Sequence, residues 1–141
     1  MSFLAPEPAA SYGIHSVITP LPNRRVRGSA TGRPIMALLD LLGRRMALRI
    51  LWELRAAGLT FRALQQAAET NPSVLNVRLR ELREARIVEH GPEGYRLTPL
   101  GGTLLKLLLP LQVWADEWVQ LLHGPTRGER TKPPPSPRRG T

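Results

Sequence analysis

The sequence predicts a mainly helical chain with one small β-hairpin, which is the element order of a winged helix-turn-helix. Apolar residues recur at helical spacing through residues 34–85, and capping residues separate the helical segments. Two short strand-like segments then flank a turn that contains proline and glycine, and a long apolar helix follows them. We therefore expect one folded domain over residues 34–122.

Proline and glycine bound the first two predicted helices. Pro34 can take the first helical position, and Gly43 ends a segment in which apolar residues recur at helical spacing. A second helix is expected over residues 45–57, with Gly58 as its stop. The periodic apolar residues are Ile35, Leu38, Leu39 and Leu42 in the first helix, and Leu48, Leu51 and Trp52 in the second.

Polar caps introduce the next two helices. Thr60 is the expected cap of a helix over residues 61–69, and Asn71 with Pro72 begins a helix that runs to about residue 85. In the latter helix, three leucines at i, i+4 and i+7 form a stripe that is typical of a face packed on a core; they are Leu75, Leu79 and Leu82.

A hairpin is expected next, with strands over residues 87–90 and 95–97. Pro92 presets the backbone for a turn, and Gly94 can adopt the positive φ that closes a tight hairpin. Thr98 and Pro99 are then expected to cap and begin the last helix.

The last predicted helix covers residues 100–122, with a kink at Pro110. It is apolar nearly all round, so it needs cover on more than one side, and a second copy of the chain can supply that cover. The alternative is that its tryptophans fill the chain's own core. The residues expected in a homodimer interface are Leu38, Leu107, Leu111, Trp114, Trp118 and Leu122.

The net charge of +9 lies mostly at the two ends of the chain, because residues 34–122 carry 11 basic and 9 acidic side chains. Residues 1–33 and 124–141 are rich in proline, glycine and arginine, and we expect a disordered basic arm and a disordered tail there. Either end can be a plain solvated segment or can add nonspecific attraction to phosphates.

Several classes of function find no support in the sequence. The absence of cysteine excludes disulfides, thiolate metal sites and thiol-based sensing, and the three histidines have no metal-ligand spacing. Neither a catalytic triad nor a phosphate-binding loop is visible, so we expect neither an enzyme nor a cofactor. The apolar stretch over residues 104–122 is interrupted by charged residues, and no secretion signal is visible, which favours a cytoplasmic protein without a membrane span.

Several segments in order resemble the bacterial HxlR-type regulators, which are related to the MarR regulators. They are residues 33–45, 48–54, 60–64, the sequence PSVLNVRLREL over residues 72–82, and LTPLG over residues 97–101. The resemblance covers about residues 33–118. It implies a homodimer that binds partly palindromic operator DNA, usually as a repressor. Arg33 stands where many relatives carry a cysteine, so their thiol sensing is not expected here.

The helix that follows Asn71 resembles the family's recognition helix. With its leucine stripe anchored, a rotation of about 100° per residue turns Ser73, Asn76, Val77 and Arg80 outward, with Arg83 on the flank. In the major groove, Asn76 can read adenine, Arg80 can read guanine, and Val77 can contact a thymine methyl group. The alternative is that Arg80 and Arg83 are solvated charges paired with acidic neighbours, Glu81 and Glu84.

A second group of residues is expected to contact the DNA backbone or the minor groove. It comprises Arg44, Arg45 and Arg62 near helix starts, and His90 and Arg96 in the wing. Plain surface charge is an equally good interpretation of these residues. Arg78 lies beside the leucine stripe and is expected to brace the helix through a hydrogen bond.

Two further interpretations stay open. The domain can be a winged-helix module that binds a protein rather than DNA, since its middle part is nearly neutral and Val77 is apolar. A small-molecule effector can bind in an apolar pocket at a dimer interface. The sequence names neither the effector nor the operator.

Overall fold

The computed structural model describes residues 18–124. The chain forms two compact units, with the boundary after Leu105. The helices are α1 (Pro34–Leu42), α2 (Ala47–Glu53), α3 (Phe61–Ala68), α4 (Pro72–Glu84), α5 (Pro99–Leu108) and α6 (Leu111–His123). The strands are β1 (Val88–Gly91) and β2 (Gly94–Leu97), which lie between α4 and α5. The predicted winged helix-turn-helix, mainly helical with one hairpin, is confirmed.

Side-chain caps fix the starts of three helices where the sequence predicted them. The Thr60 hydroxyl accepts a hydrogen bond from the Ala63 backbone N–H at 3.2 Å. The Asn71 side chain accepts one from the Val74 N–H at 2.9 Å, and the Thr98 hydroxyl accepts one from the Gly101 N–H at 3.0 Å. Each cap satisfies an N–H group that has no partner inside its helix, so the helix starts are set locally.

The core of the first unit is built on the predicted leucine stripe of α4. Leu75 and Leu82 are fully buried and Leu79 is 2% exposed. They are joined in the core by residues of α2 and α3, among them Ile50, Leu51 and Leu64. Burial of such side chains stabilises the fold by roughly 1.5–3 kcal/mol each. One side of α4 is therefore held firmly, which fixes the direction of its other side.

The wing, which is the β1–β2 hairpin, is joined by backbone hydrogen bonds to Leu59, just before the start of α3. In the hairpin, Val88 pairs with Leu97 and Gly91 pairs with Gly94. The backbones of Leu59 and Tyr95 exchange hydrogen bonds of 2.9 and 2.7 Å. Gly94 has a φ of 114°, and a Cβ there would lie 2.4 Å from the Leu59 carbonyl oxygen. Only glycine fits this close approach.

Two helices differ from the sequence prediction. The second helix begins at Ala47 rather than Arg45, because Met46 adopts a left-handed φ of 71° that a continuing helix cannot contain. It ends at Glu53 rather than Ala57, so Gly58 is not its stop. The helix over residues 100–122 is not one kinked helix but two, α5 and α6. Pro110 lies at the break, because it lacks an N–H group and its ring clashes with the preceding turn.

Residues 18–33 also differ from the expected disordered arm. Thr19 and Val26 are buried, and the backbones of Val26 and Ser29 pair with each other. The Arg27 backbone N–H donates a hydrogen bond to Asp40 of α1 at 3.2 Å. The apolar Val26 gives this segment a contact with the core, which a count of charges does not reveal. The rest of the predicted arm, and the predicted tail after residue 124, lie outside the described residues.

Candidate nucleic-acid interface

The exposed side of α4 carries the residues that were expected to read DNA. Ser73, Asn76, Arg80 and Arg83 are exposed, and Val77 is half-buried. They lie opposite a leucine stripe that is at most 2% exposed. This side is not packed against the unit's own core, so its polar groups are accessible to a partner.

These five residues line one groove of about 500 Å³, together with Leu79 and Tyr95. Of the residues described there, two are arginines and none is acidic. A neighbouring groove of about 740 Å³ shares Arg80 and Arg83 and extends to His90 of β1. Arg80 and Arg83 on the exposed side of α4 therefore border both grooves, and two carboxylates, those of Glu84 and Glu89, border the second groove.

Tyr95 is buried but lines the groove, a position that the sequence analysis missed. Its ring stacks on that of His90, with centroids 4.2 Å apart and planes 9° apart, because the two residues are cross-strand partners in the hairpin. The strands predicted over residues 87–90 and 95–97 already imply that His90 lies opposite Tyr95. Tyr95 was expected only as part of a strand.

The alternative interpretation of the α4 arginines fails at one point. Glu81 is completely buried and cannot pair with Arg80 on the exposed side. Among residues 18–124, neither Arg80 nor Arg83 makes an ion pair or a side-chain hydrogen bond. Their positive charges are therefore available to an anionic partner.

Glu81 instead joins two arginines below the surface. Its Oε1 atom lies 3.1 Å from a guanidinium nitrogen of Arg44 and 3.1 Å from one of Arg78. Arg78 also donates from Nε to the Arg45 carbonyl oxygen at 2.7 Å, which is the expected bracing role. Arg44 additionally donates to the Ile18 carbonyl oxygen at 3.0 Å.

This arrangement corrects the expectation for Arg44. Its side chain is only 10% exposed and is held by Glu81, so it is not presented to a DNA phosphate. The start of α2 offers no anion site of the expected kind either, because that helix has only seven residues and begins beyond Arg45. The sequence could not show the Arg44–Glu81 contact, since the two residues are 37 positions apart.

The other expected backbone contacts fall into two groups. Arg45 and Arg62 are exposed, and within the described part of the chain their guanidinium groups have no partner. In contrast, Arg96 donates from Nε to Glu89 at 2.6 Å across the hairpin, so its charge is largely offset. His90 is exposed beside Tyr95.

In the second unit, α6 has no buried residue. Trp114 is 58% exposed and Trp118 is 50% exposed, with ring centroids 5.5 Å apart. The other exposed members of the predicted interface in this part of the chain are Leu107, Leu111 and Leu122. Within the second unit neither tryptophan is buried, and their place in an interface with a second copy stays a prediction. In α1, Leu38 is half-buried, whereas Ile35 and Leu39 are exposed.

The described residues contain neither a metal cluster nor a membrane-crossing helix. Over residues 18–124, no group of three or more histidine or carboxylate side chains is placed to hold a metal ion. Nor does any helix in that range combine the length and the apolar character needed to cross a bilayer.

The fold and this surface define a winged helix-turn-helix protein, and comparisons with known proteins place it in a family. A sequence model of the HxlR-like helix-turn-helix family matches residues 41–123. One matching solved structure is the quinone-bound YodB from B. subtilis, with 28% identity and a TM-score of 0.56. That match covers 59% of this chain and 96% of the YodB chain. No curated protein matches.

The chain belongs to the HxlR-like helix-turn-helix family, because the family match covers more than half of it. The family and the YodB neighbour make it a DNA-binding transcription regulator. The HxlR family is a family of regulators rather than of enzymes.

Proposed function

We propose that the chain binds a partly palindromic operator as a homodimer and represses transcription from it. Each copy places the exposed side of α4 in the major groove of the DNA. The observation that carries this proposal is that one side of α4 carries a buried leucine stripe, while the opposite side carries two arginines with no partner among residues 18–124. A helix held in this way can enter a groove without losing its own packing.

Base recognition is assigned to the polar residues in the middle of that side. Asn76 has the amide geometry that pairs with adenine, and Arg80 has the guanidinium geometry that pairs with guanine. Each such pair contributes roughly 1–3 kcal/mol of discrimination against a wrong base. Val77 offers only an apolar contact, which suits a thymine methyl group.

A backbone contact is assigned to Arg62 at the start of α3, because its guanidinium group has no partner among the described residues. His90 and Arg83 border the groove between α4 and the wing, where a second phosphate strand can lie. Arg96 contributes less, since its charge already meets that of Glu89.

The homodimer is proposed to form through α6. Trp114 and Trp118 are large apolar side chains one helical turn apart, and at least half of each is exposed. Exposed aromatic pairs of this kind are typical anchors of protein interfaces. Two subunits related by a two-fold axis present two recognition helices about one DNA turn apart, which is why the operator is expected to be palindromic.

Repression is proposed by analogy with the family's usual behaviour. A dimer bound to an operator within a promoter blocks access to it. Modification of a thiol cannot control DNA binding by this chain, because its sequence contains no cysteine. An effector of this chain is therefore proposed to bind without forming a bond to sulfur.

The dependence of binding on salt tests whether the partner is duplex DNA or another protein. Affinity for a random-sequence duplex should fall linearly in a double logarithmic plot against salt, with a slope of about −0.9 per phosphate contacted. Arg62→Gln should reduce that slope by about 1. Arg55→Gln is the matched control, because Arg55 is occupied by the Trp52 ring at 4.3 Å and the Trp52 carbonyl. A weak slope that is equal in all three proteins would contradict DNA binding and favour the protein-interaction module.

A further inference from the structure

The first unit contains an open cavity of about 520 Å³ that shares no lining residue with the groove beside Asn76 and Arg80. Its lining comes from the turn at Arg27 and Gly28, from α1 and the loop that follows it, and from Arg78 of α4. The volume lies within the range of about 300–1,000 Å³ that is usual for small-molecule sites. No part of the proposed DNA contact through Asn76 or Arg80 lines it.

The cavity carries an excess of positive charge. Among the described residues that line it, four are arginines, namely Arg27, Arg44, Arg45 and Arg78, and one is a carboxylate, Asp40. Arg44 and Arg78 hold the buried Glu81 on their inner side. Within residues 18–124, the guanidinium groups of Arg27 and Arg45 have neither a hydrogen bond nor an ion pair. Two positive charges at the cavity are thus left for a ligand.

The rest of the lining is apolar. Met36 and Leu39 of α1 border the cavity, and Leu39 is 54% exposed. An apolar side chain that is half exposed beside two unpaired guanidinium groups favours a ligand with both an apolar body and an anionic head. Guanidinium groups bind planar carboxylates particularly well, because two N–H groups can donate in parallel.

We propose that this cavity is a binding site for a small organic carboxylate, whose anionic group lies between Arg27 and Arg45 and whose apolar part packs on Met36 and Leu39. The contact requires no covalent step. It also places the ligand beside Arg78, the residue that holds α4 to the Arg45 carbonyl oxygen at 2.7 Å. A ligand in the cavity can therefore change how α4 is held. An effect of that change on DNA affinity rests on the proposed function.

Calorimetry of the full chain without DNA tests the site independently of DNA binding. Benzoate is the probe, since it combines a carboxylate with an apolar ring. Benzamide has the same ring without the charge, and inorganic phosphate has charge without an apolar body. We expect saturable binding of one benzoate per chain, with a dissociation constant on the order of 1 mM for so small a ligand. Benzamide and phosphate should each bind at least about tenfold more weakly.

Variants locate the site. Arg27→Gln and Arg45→Gln should each weaken benzoate binding by roughly three- to tenfold, because each removes one charge-assisted contact at a partly exposed position. Arg25→Gln is the matched control, since Arg25 is exposed on the same segment and does not line the cavity. None of these side chains has a described structural partner, so the variants should fold, which circular dichroism can check.

Several outcomes would overturn the proposal. They are absence of saturable benzoate binding, equal affinity for benzamide, tighter binding of phosphate than of benzoate, and benzoate affinity unchanged in both variants. The same variants should be titrated with duplex DNA. Weaker DNA binding with unchanged benzoate binding would mean that the arginines serve DNA phosphates instead. Failure of the chain to bind DNA at all would leave the benzoate result unaffected, so the two proposals can fail separately.

Discussion

At the scale of single residues, Glu81 decides how the recognition helix is held. Its carboxylate is completely buried, and Oε1 contacts both Arg44, which lies in the loop after α1, and Arg78 of its own helix. A buried charge is costly unless it is paired, so each member of this cluster depends on the others. The cluster joins α4 to the residues that follow α1, beside the cavity at Arg45.

Removal of the Glu81 charge should therefore destabilise the fold. We expect Glu81→Gln to lower the free energy of unfolding by about 3 kcal/mol, because it leaves two guanidinium groups close together with reduced compensation. Urea denaturation measures the change. Glu84→Gln in the same helix is the control, and it should shift stability by less than about 0.5 kcal/mol, since Glu84 is exposed. Equal stabilities of the two variants would show that the buried cluster contributes nothing.

At the scale of elements, α5 is placed by its close approach to Ile87, the residue immediately before β1. A Cβ on Gly101 would lie 2.1 Å from the Ile87 carbonyl oxygen, whereas one on Gly102 would meet nothing within 4 Å. Thr98 reinforces the contact, since its hydroxyl donates to the Arg86 carbonyl oxygen at 2.6 Å. The glycine pair thus contains one position that requires glycine and one that does not.

Alanine at the two positions should have opposite effects. Gly102→Ala should raise the free energy of unfolding by about 0.5–1 kcal/mol, because alanine is the better helix former. Gly101→Ala should lower it by about 2 kcal/mol or more, because the helix must move away from Ile87. Thermal denaturation of both variants compares them directly. Similar melting temperatures for the two would contradict the packing of α5 described here.

Local signals were sufficient for most of the elements. The caps at Thr60, Asn71 and Thr98, and the stripe of leucines in α4, depend on residues a few positions apart, so the sequence displays them. The order of those elements then predicted the winged fold and the exposed side of α4. The prediction failed where the backbone adopts an unusual conformation. At Met46 a left-handed φ delays the start of α2 beyond the point that the apolar period suggests.

Contacts between distant residues were beyond such reasoning. The ion pair of Arg44 with Glu81 and the burial of Val26 both depend on tertiary packing, so no local sequence pattern predicts them. For the same reason we wrongly expected from the sequence that Arg44 contacts DNA and that residues 18–33 are disordered. The cavity at Arg27 and Arg45 could not be predicted either, because its walls come from separate segments.

At the scale of the whole molecule, the proposed activity depends on two copies of the chain. One recognition helix contacts only a few base pairs, and pairing two of them on one duplex supplies the affinity and the symmetry of the site. The exposed tryptophans of α6 are the residues on which this proposal rests.

A charge at the centre of that surface should separate the subunits. Trp118→Glu removes a large apolar side chain and introduces repulsion between two-fold related copies, so the dissociation constant of the dimer should rise by at least about 100-fold. Gln120→Glu, also exposed on α6, is the control for the added charge and should leave the dimer intact. Sedimentation equilibrium measures both. A wild-type chain that is monomeric at all concentrations would contradict the dimer.

The central claim is that the exposed side of α4 reads base sequence, and selection of bound sequences from a pool of random duplexes tests it most directly. We expect the wild-type chain to enrich a palindrome. Arg80→Ala should relax the preference at one position in each half-site, at a cost of about 1–3 kcal/mol. Arg24→Ala, which changes an exposed arginine outside α4, should give the wild-type motif. The same motif from Arg80→Ala as from the wild type, or no motif from either, would contradict the account.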